Sequence, residues 1–186
     1  RRQAALALSR TRERDHTVPL SQGRRGITAS YREGDVIERP LSEIAAAVRG
    51  TLRGPDAVVS AVGTDSRAVG PGSLFVAISG ERVDGHDFVA DAFDRGAVAA
   101  VVHRPEIAGP LIEVPDTGRA LRDLAADERG RMRGARVVGI TGSNGKTSSK
   151  DLAAAVVGTR LRTHASPASF NNEIGHPLTA MRCDTG

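Results

Sequence analysis

The sequence has few of the residues that form disulfides, aromatic cores or membrane spans. It has one cysteine, Cys183, no tryptophan, and only 3% aromatic residues among 186. A single cysteine excludes an internal disulfide framework. No apolar run approaches the ~20 residues that cross a bilayer, and the apolar stretch within residues 1–10 is too short for a secretory signal. These absences predict a cytoplasmic protein without stable membrane insertion, with a core of aliphatic residues.

The net charge of +4 is confined to the start of the sequence. Residues 1–35 contain eight arginines and four acidic residues, whereas residues 36–186 contain 18 basic and 18 acidic side chains. A nucleic-acid-binding protein is expected to have a basic face with aromatic or polar readers, and none is evident here. We therefore expect no nucleic-acid partner. We interpret residues 1–35 as a disordered or spurious basic extension, with a docking arm as the alternative.

From residue 36 onward, predicted strands and helices alternate, which is typical of an α/β fold with some parallel pairing. Helices are predicted in LSEIAAAVRG with Ser42 as N-cap, in HDFVADAFDRGA, and from Thr117. Strands are predicted in AVVSAVG, at 74–78, 97–102, 111–114, 136–141 and near 161–165.

We divide this region into three parts: a small N-terminal α/β domain at 36–115, a connecting helix at 116–134, and the truncated start of a parallel-sheet nucleotide-binding domain at 135–186. A parallel sheet of this kind needs more strands than residues 135–186 supply. We therefore expect the chain to be the front part of a longer protein.

The stretch GITGSNGKTSSK, residues 139–150, has the chemistry of a phosphate-binding loop. It follows a predicted apolar strand and precedes a predicted helix from about Thr147. Gly142 and Gly145 permit close backbone approach to phosphates, and the helix N-terminus favours an anion. Lys146 supplies a positive charge for the β- and γ-phosphates, and the Thr147 hydroxyl is placed to bind Mg²⁺. The first glycine of the usual pattern is absent, because Ile140 occupies that position.

The stretch TGSNGKT resembles the phosphate loop of the Mur ligase family, whose ATP-dependent enzymes add amino acids to the peptidoglycan precursor. Folylpolyglutamate synthetases have a similar loop. Residues 64–97, TDSRAVGPGSLFVAISGERVDGHDFVADAFDRGA, resemble the family's UDP-sugar-binding domain. Residues 169–181, SFNNEIGHPLTAM, resemble the branch that adds D-alanyl-D-alanine, whereas the branch that adds the third amino acid has a TTPE-type sequence there. The resemblance covers roughly residues 36–186.

The resemblance implies roles for matching positions. Catalysis and phosphate binding fall to Lys146, and Mg²⁺ binding to Thr147 and Glu173. The implied ATP-binding residues are Thr141, Gly142, Ser143, Asn144, Gly145, Lys146, Thr147, Ser148, Asn171 and Asn172. The implied contacts to the UDP-linked substrate are Asp65, Ser66, Arg67, Gly85 and His86. Two departures from the family pattern are the serines at 148 and 149, where threonines are more common, and His176, where an aliphatic residue is usual.

Several of these residues have simpler alternatives. Asp65 and Asp84 could cap turns, and Glu173 could cap the helix that follows it. Arg67 could be a surface ion-pair residue. For His86, a place at a helix start or core edge is favoured over a catalytic role.

The resemblance implies an ATP- and Mg²⁺-dependent ligase that acts as a monomer. ATP would phosphorylate the terminal carboxylate of a UDP-N-acetylmuramoyl-tripeptide, and the amine of D-alanyl-D-alanine would attack the acyl phosphate. Family members have further catalytic groups outside the matched segment, so we expect this chain alone not to catalyse ligation. The alternatives are a family member that adds another amino acid and a non-catalytic nucleotide-binding remnant; a GTPase or kinase would explain neither 64–97 nor 169–181.

Overall fold

The computed structural model describes residues 38–80, 83–104, 106–166 and 172–183. The strands are β1 (Arg39–Pro40), β2 (Thr51–Arg53), β3 (Val58–Val59), β4 (Ala61–Gly63), β5 (Ser73–Val76), β6 (Ala99–Val102) and β7 (Leu111–Glu113). The helices are α1 (Leu41–Ala47), α2 (Val89–Asp94), α3 (Thr117–Arg131), α4 (Lys146–Val157) and α5 (Gly175–Met181). Short 3-10 helices occupy Ser66–Ala68 and Gly85–Phe88. None of the helices in these ranges is long and apolar enough to cross a membrane. The predicted extension at 1–35 lies outside the described residues.

The main sheet has five strands in the order β2-β7-β6-β5-β4. The strands β4, β5, β6 and β7 are parallel to one another, and β2 pairs antiparallel with β7 at one edge. A separate two-stranded antiparallel pair joins β1 to β3. Since parallel strands end at the same edge, the loops after β4, β5 and β6 emerge side by side. The α/β fold predicted from the alternation of elements is confirmed.

Helices cover both faces of the sheet, so its central strands are buried on both sides. On β5, Leu74 and Val76 face the cluster formed with α1, α3 and α5, whereas Phe75 packs in the cluster on the α2 side. On β6, alternate residues divide between the two clusters in the same way. Successive side chains of a strand point to opposite faces, and a sheet covered on both faces therefore needs continuous apolar strands. The runs LFVA and AVAAVV meet that requirement.

A buried ion pair joins α3 to the first strand, β1. The Arg39 side chain of β1 is 7% exposed, and it donates through Nη1 to the Glu128 carboxylate of α3, which is 6% exposed. The same nitrogen also donates to Asp127 at 2.8 Å. Removing charges from water costs free energy unless they are paired and hydrogen-bonded. This pairing therefore constrains how α3 packs on the first helix and strand.

Two predicted strands are wrong. Residues 136–141 and 161–165 lie within the described ranges, yet neither forms a strand. Val138 is 79% exposed, and α4, which begins between the two segments, has no buried residue. A strand persists only when its backbone groups are paired by a neighbour, and no strand of the described residues lies beside either segment. The prediction rested on the apolar pattern alone and did not identify a neighbouring strand for either segment.

The prediction for α1 was right about the helix and wrong about its cap. The helix begins at Leu41 after Pro40, and Pro40 is the N-cap residue. Ser42 lies inside the first turn, where its hydroxyl donates to Asp56 Oδ2 at 2.6 Å. The predicted helix from Thr117 is confirmed as α3, with Asp116 as its N-cap. The predicted domain boundaries remain predictions.

Leu121→Ala and Leu152→Ala test which apolar helical residues belong to the core. Leu121 of α3 is 1% exposed and Leu152 of α4 is 67% exposed. Leu121→Ala should lower the free energy of unfolding by about 2–5 kcal/mol, because it leaves a cavity in the packed cluster. Leu152→Ala should change it by less than about 0.5 kcal/mol. Urea unfolding of both variants measures the difference, and equal losses would contradict the assignment of α4 to the surface.

Candidate functional site

The turn before α4 ends in a left-handed glycine directly ahead of a helix start. Gly145 caps the helix with φ 77° and ψ 0°, in the left-handed region. A Cβ at this position would meet no atom within 4 Å, so glycine is favoured here by its backbone conformation and not by lack of space. The helix begins at Lys146 and runs for 12 residues. The first N–H groups of a helix have no intrahelical acceptor, and they favour an anion together with the helix dipole.

The lysine of this turn lies over the loop. Lys146 Nζ donates to the carbonyl oxygen of Gly142 and, at 3.5 Å, to that of Ser143. Residues 141–145 are exposed, so packing does not close the turn to a ligand. Backbone N–H groups and an ammonium beside an open turn fit the phosphates of a nucleotide. Phosphate oxygens would replace the loop carbonyls as acceptors of the lysine N–H groups.

The residues expected to complete the ATP and Mg²⁺ site precede α5. Asn172 Oδ1 accepts from Gly175 N–H at 2.6 Å, so this side chain supports the start of α5. Glu173 is exposed, and among the described residues it has no hydrogen bond or ion pair. Asn171 lies outside the described residues. In the same ranges no group of three acidic, histidine or cysteine side chains could hold a metal ion. Mg²⁺ is commonly held by one or two carboxylates and substrate phosphates, and an exposed glutamate fits that pattern.

The loop after β4 is ordered by an aspartate and an arginine. Asp65 Oδ1 accepts from Arg67 N–H at 3.0 Å and from Arg67 Nε at 2.9 Å, while Oδ2 accepts from Nη2 at 2.8 Å. These bonds lower the pKa of Asp65 from 3.8 to about 2, the hydrogen bond from the Arg67 side chain being the largest cause. Ser66 is buried, and its side chain is the largest cause that lowers the pKa of Asp91 in α2. Asp65 therefore caps the 3-10 helix and also holds the arginine.

The loop after β5 is held by Asp84 and a buried histidine. His86 Nε2 accepts from the backbone N–H of His103 at 3.1 Å, so the ring proton is on Nδ1, which donates to Asp84 Oδ1 at 2.6 Å. The His86 side chain is 1% exposed, and neither nitrogen remains for a substrate. A Cβ at Gly85 would lie 2.6 Å from the backbone nitrogen of Ile78, so only glycine fits. These two residues shape the loop instead of presenting a polar group to solvent.

Two residues that the sequence predictions did not include belong to the same edge. His103 and Arg104 follow β6, and Arg104 Nη2 lies 2.5 Å from Asp84 Oδ2. Hydrogen bonds from the His86 backbone and ring, with a further one from Ser79, lower the pKa of Asp84. The signal was available, because a polar dipeptide directly after an apolar parallel strand lies where α/β sheets bind ligands.

Two family models match this chain. One, described as the catalytic domain of the Mur ligase family, matches residues 58–154, and another, described as the Mur ligase middle domain, matches residues 140–185. The chain is 44% identical over 154 residues to the UDP-N-acetylmuramoyl-tripeptide–D-alanyl-D-alanine ligase of Bacillus subtilis and 43% identical over 148 residues to that of Escherichia coli. These alignments cover 78% and 79% of this chain but 33% and 32% of the relatives. The chain thus spans about a third of the length of the curated relatives it matches.

Solved structures agree with this similarity. A UDP-N-acetylmuramoylalanyl-D-glutamyl-2,6-diaminopimelate–D-alanyl-D-alanyl ligase from Acinetobacter baumannii matches with a TM-score of 0.74 and 29% identity, over 81% of this chain and 35% of that one. A MurF ligase from Thermotoga maritima, solved in complex with ADP, matches with a TM-score of 0.59 and 33% identity. That alignment covers 65% of this chain and 28% of the other.

The Asp65–Arg67 pair predicts a carboxylate that stays ionised in acid. A lowered pKa contributes stability above the ordinary value of 3.8, and this contribution is lost as pH falls through about 2. We expect the Asp65 carboxyl ¹³C signal to remain that of the ionised form from pH 6 to about pH 3. Arg67→Gln should shift the titration midpoint of Asp65 upward, towards 3.8. Arg53→Gln is the control and should not shift that midpoint, because Arg53 pairs with Glu113. A wild-type midpoint near 3.8 would contradict this geometry.

Proposed function

This chain belongs to the Mur ligase family, and we propose that it is part of a ligase that adds D-alanyl-D-alanine to a UDP-N-acetylmuramoyl-tripeptide with ATP. The observation that carries the proposal is the open turn at Gly145 and Lys146, in the same chain as an α/β sheet with polar loops at its carboxyl edge. The D-alanyl-D-alanine branch is supported by the names of the relatives and by the FNNEIG sequence.

In this proposal the turn at 141–148 binds the phosphates of ATP. The N–H groups at the start of α4 and the Lys146 ammonium neutralise phosphate charge, as their exposure before a helix permits. The ADP in the Thermotoga maritima relative supports a nucleotide as the ligand. Thr147 and Glu173 are proposed to hold Mg²⁺, which would screen the charge between the phosphates when bound.

The five-stranded main sheet (the front sheet) is proposed to bind the UDP-linked substrate. Asp65, Ser66 and Arg67 lie at the carboxyl end of β4, the edge where open α/β sheets bind ligands. Gly85 and His86 support the adjacent loop through backbone fit and internal hydrogen bonds. The UDP-linked substrate and ATP would thus have separate binding sites on the chain, as two ligands that react with each other require.

The chemistry joins a carboxylate to an amine. A carboxylate has no adequate leaving group, so its phosphorylation by ATP forms an acyl phosphate and ADP. Attack by the amine of D-alanyl-D-alanine then forms the amide and releases phosphate. The chain's residues would contribute by positioning the γ-phosphate and neutralising its charge, which are the main sources of rate in phosphoryl transfer. We propose that ligation belongs to the longer polypeptide, because the chain spans about a third of its relatives.

Lys146→Gln tests the nucleotide site in the 186-residue chain. The variant should weaken ATP binding roughly ten- to hundred-fold, because charge-assisted hydrogen bonds to phosphate are lost. Arg160→Gln is the matched control, since it removes one positive charge from the exposed turn after α4. Isothermal titration with ATP and Mg²⁺ measures both. Equal affinities for wild type and Lys146→Gln would remove the proposed role of the turn.

The choice of amine substrate tests the branch of the family. In the full-length gene product, D-alanyl-D-alanine should support phosphate release with ATP and UDP-N-acetylmuramoyl-tripeptide, whereas a diamino acid with the dipeptide precursor should not. The 186-residue chain should release no phosphate with either pair. Turnover with the diamino acid would assign the protein to the branch that adds the third amino acid. Turnover by the 186-residue chain at the full-length rate would contradict the proposal that ligation belongs to the longer polypeptide.

A further inference from the structure

Arg104 lies just after the carboxyl end of β6, the central strand of the five-stranded sheet. Its strand, β6, lies between β5 and β7, and the loops after β4 and β5 emerge beside it. The Arg104 side chain is 50% exposed. A cation at this edge lies where open parallel sheets bind ligands.

The backbone at this position is fixed by the buried histidine. The N–H of His103 donates to His86 Nε2 at 3.1 Å, and the two imidazole rings meet edge to face with centroids 4.1 Å apart. The loops after β5 and β6 are therefore joined directly before Arg104. This contact limits the positions that the arginine can reach.

Asp84 fixes the direction of the guanidinium. Its Oδ1 accepts from Ser79 Oγ at 3.1 Å, from His86 N–H at 3.0 Å and from His86 Nδ1 at 2.6 Å. Its Oδ2 accepts from Arg104 Nη2 at 2.5 Å. A carboxylate held by three donors has little freedom to rotate, so its second oxygen positions the arginine. Asp84 is thus a positioning residue for Arg104.

Arg104 has more donors available than the neighbouring arginine of the TDSR stretch. Arg67 uses both Nε and Nη2 on Asp65, whereas Arg104 uses only Nη2 on Asp84 among the residues that the structure describes. A guanidinium has five N–H donors in a planar fork. Nε, Nη1 and the second N–H of Nη2 of Arg104 therefore remain for another acceptor, so Nη2 can still form a planar fork with one of its two neighbouring nitrogens. Planar bidentate recognition is the geometry that suits phosphate oxygens.

We propose that Arg104, positioned by Asp84, binds the diphosphate of the UDP-linked substrate at the carboxyl edge of the sheet. The inference rests on the proposed function, since that function supplies a nucleoside diphosphate as the ligand of this domain. It adds a substrate-binding residue on β6 to the residues expected on β4 and β5. The buried imidazole of His86 acts through Asp84 and His103 and does not touch the ligand.

The test compares ligands with and without phosphate. UDP, UDP-N-acetylmuramoyl-tripeptide and uridine are titrated into the 186-residue chain and followed by NMR. Arg104→Gln should weaken binding of UDP and of the tripeptide substrate about ten-fold, because a charge-assisted phosphate contact is lost. Its affinity for uridine should be unchanged. Arg104→Lys should lie between wild type and Arg104→Gln, because lysine keeps the charge without the planar fork.

Arg53→Gln is the matched control. Arg53 is 55% exposed and pairs with Glu113, but it belongs to the edge strand β2, away from the ends of β4, β5 and β6. This variant should bind UDP as wild type does. ATP affinity should be unchanged by Arg104→Gln, and thermal unfolding checks that each variant folds.

The outcomes separate this inference from the proposed function. Wild-type binding of UDP with no loss in Arg104→Gln overturns the role of Arg104 and leaves the proposed function standing. If Arg104→Gln weakens the binding of UDP and of uridine equally, Arg104 does not contact phosphate, and the inference is overturned. Failure of the wild-type chain to bind either UDP or the tripeptide substrate, while it binds ATP, overturns the substrate assignment of the front sheet and the inference with it.

Discussion

Burial of the parallel sheet on both faces is the constraint on which the rest of the fold depends. Because helices cover both sides, the central strands β5 and β6 are almost wholly apolar, and the charged residues of this edge lie where those strands end. Parallel pairing then brings the ends of β4, β5 and β6 to one edge. Asp65, Asp84 and Arg104 all lie in the loops of that edge, although 39 residues of sequence separate the first from the last.

Two aspartates organise this edge by the same physical means. Each carboxylate accepts a hydrogen bond from the backbone of its own loop and another from an arginine side chain. The arginine is Arg67 for Asp65 and Arg104 for Asp84. The backbone bonds make the carboxylate rigid, and the rigid carboxylate orients the cation. The turn at Gly145 is built differently, because a left-handed glycine precedes a helix N-terminus, a feature that favours an anion without a carboxylate.

Local sequence patterns predicted the elements whose stability is mostly local or whose partners lie nearby. The helix after Lys146 and the apolar strands at 74–78 and 97–102 were found because caps, glycines and apolar runs mark them. The strands predicted at 136–141 and 161–165 failed because an apolar run specifies a need for burial and not the neighbour that provides it. The position of Arg104 directly after an apolar strand was a readable signal, but its pairing with Asp84 was not, because nothing near Arg104 in sequence indicates a partner across the sheet edge.

The sequence by itself determined the α/β class, the glycine-bearing turn before a helix and the residue types able to hold phosphate, because these follow from chain-local conformational and chemical preferences. Only the tertiary structure decided which arginine keeps more donors available for a ligand and which histidine is buried. Those properties depend on contacts between separate strands and loops, such as His103 N–H with His86 Nε2, and pairing at a distance along the chain is not encoded in any short stretch.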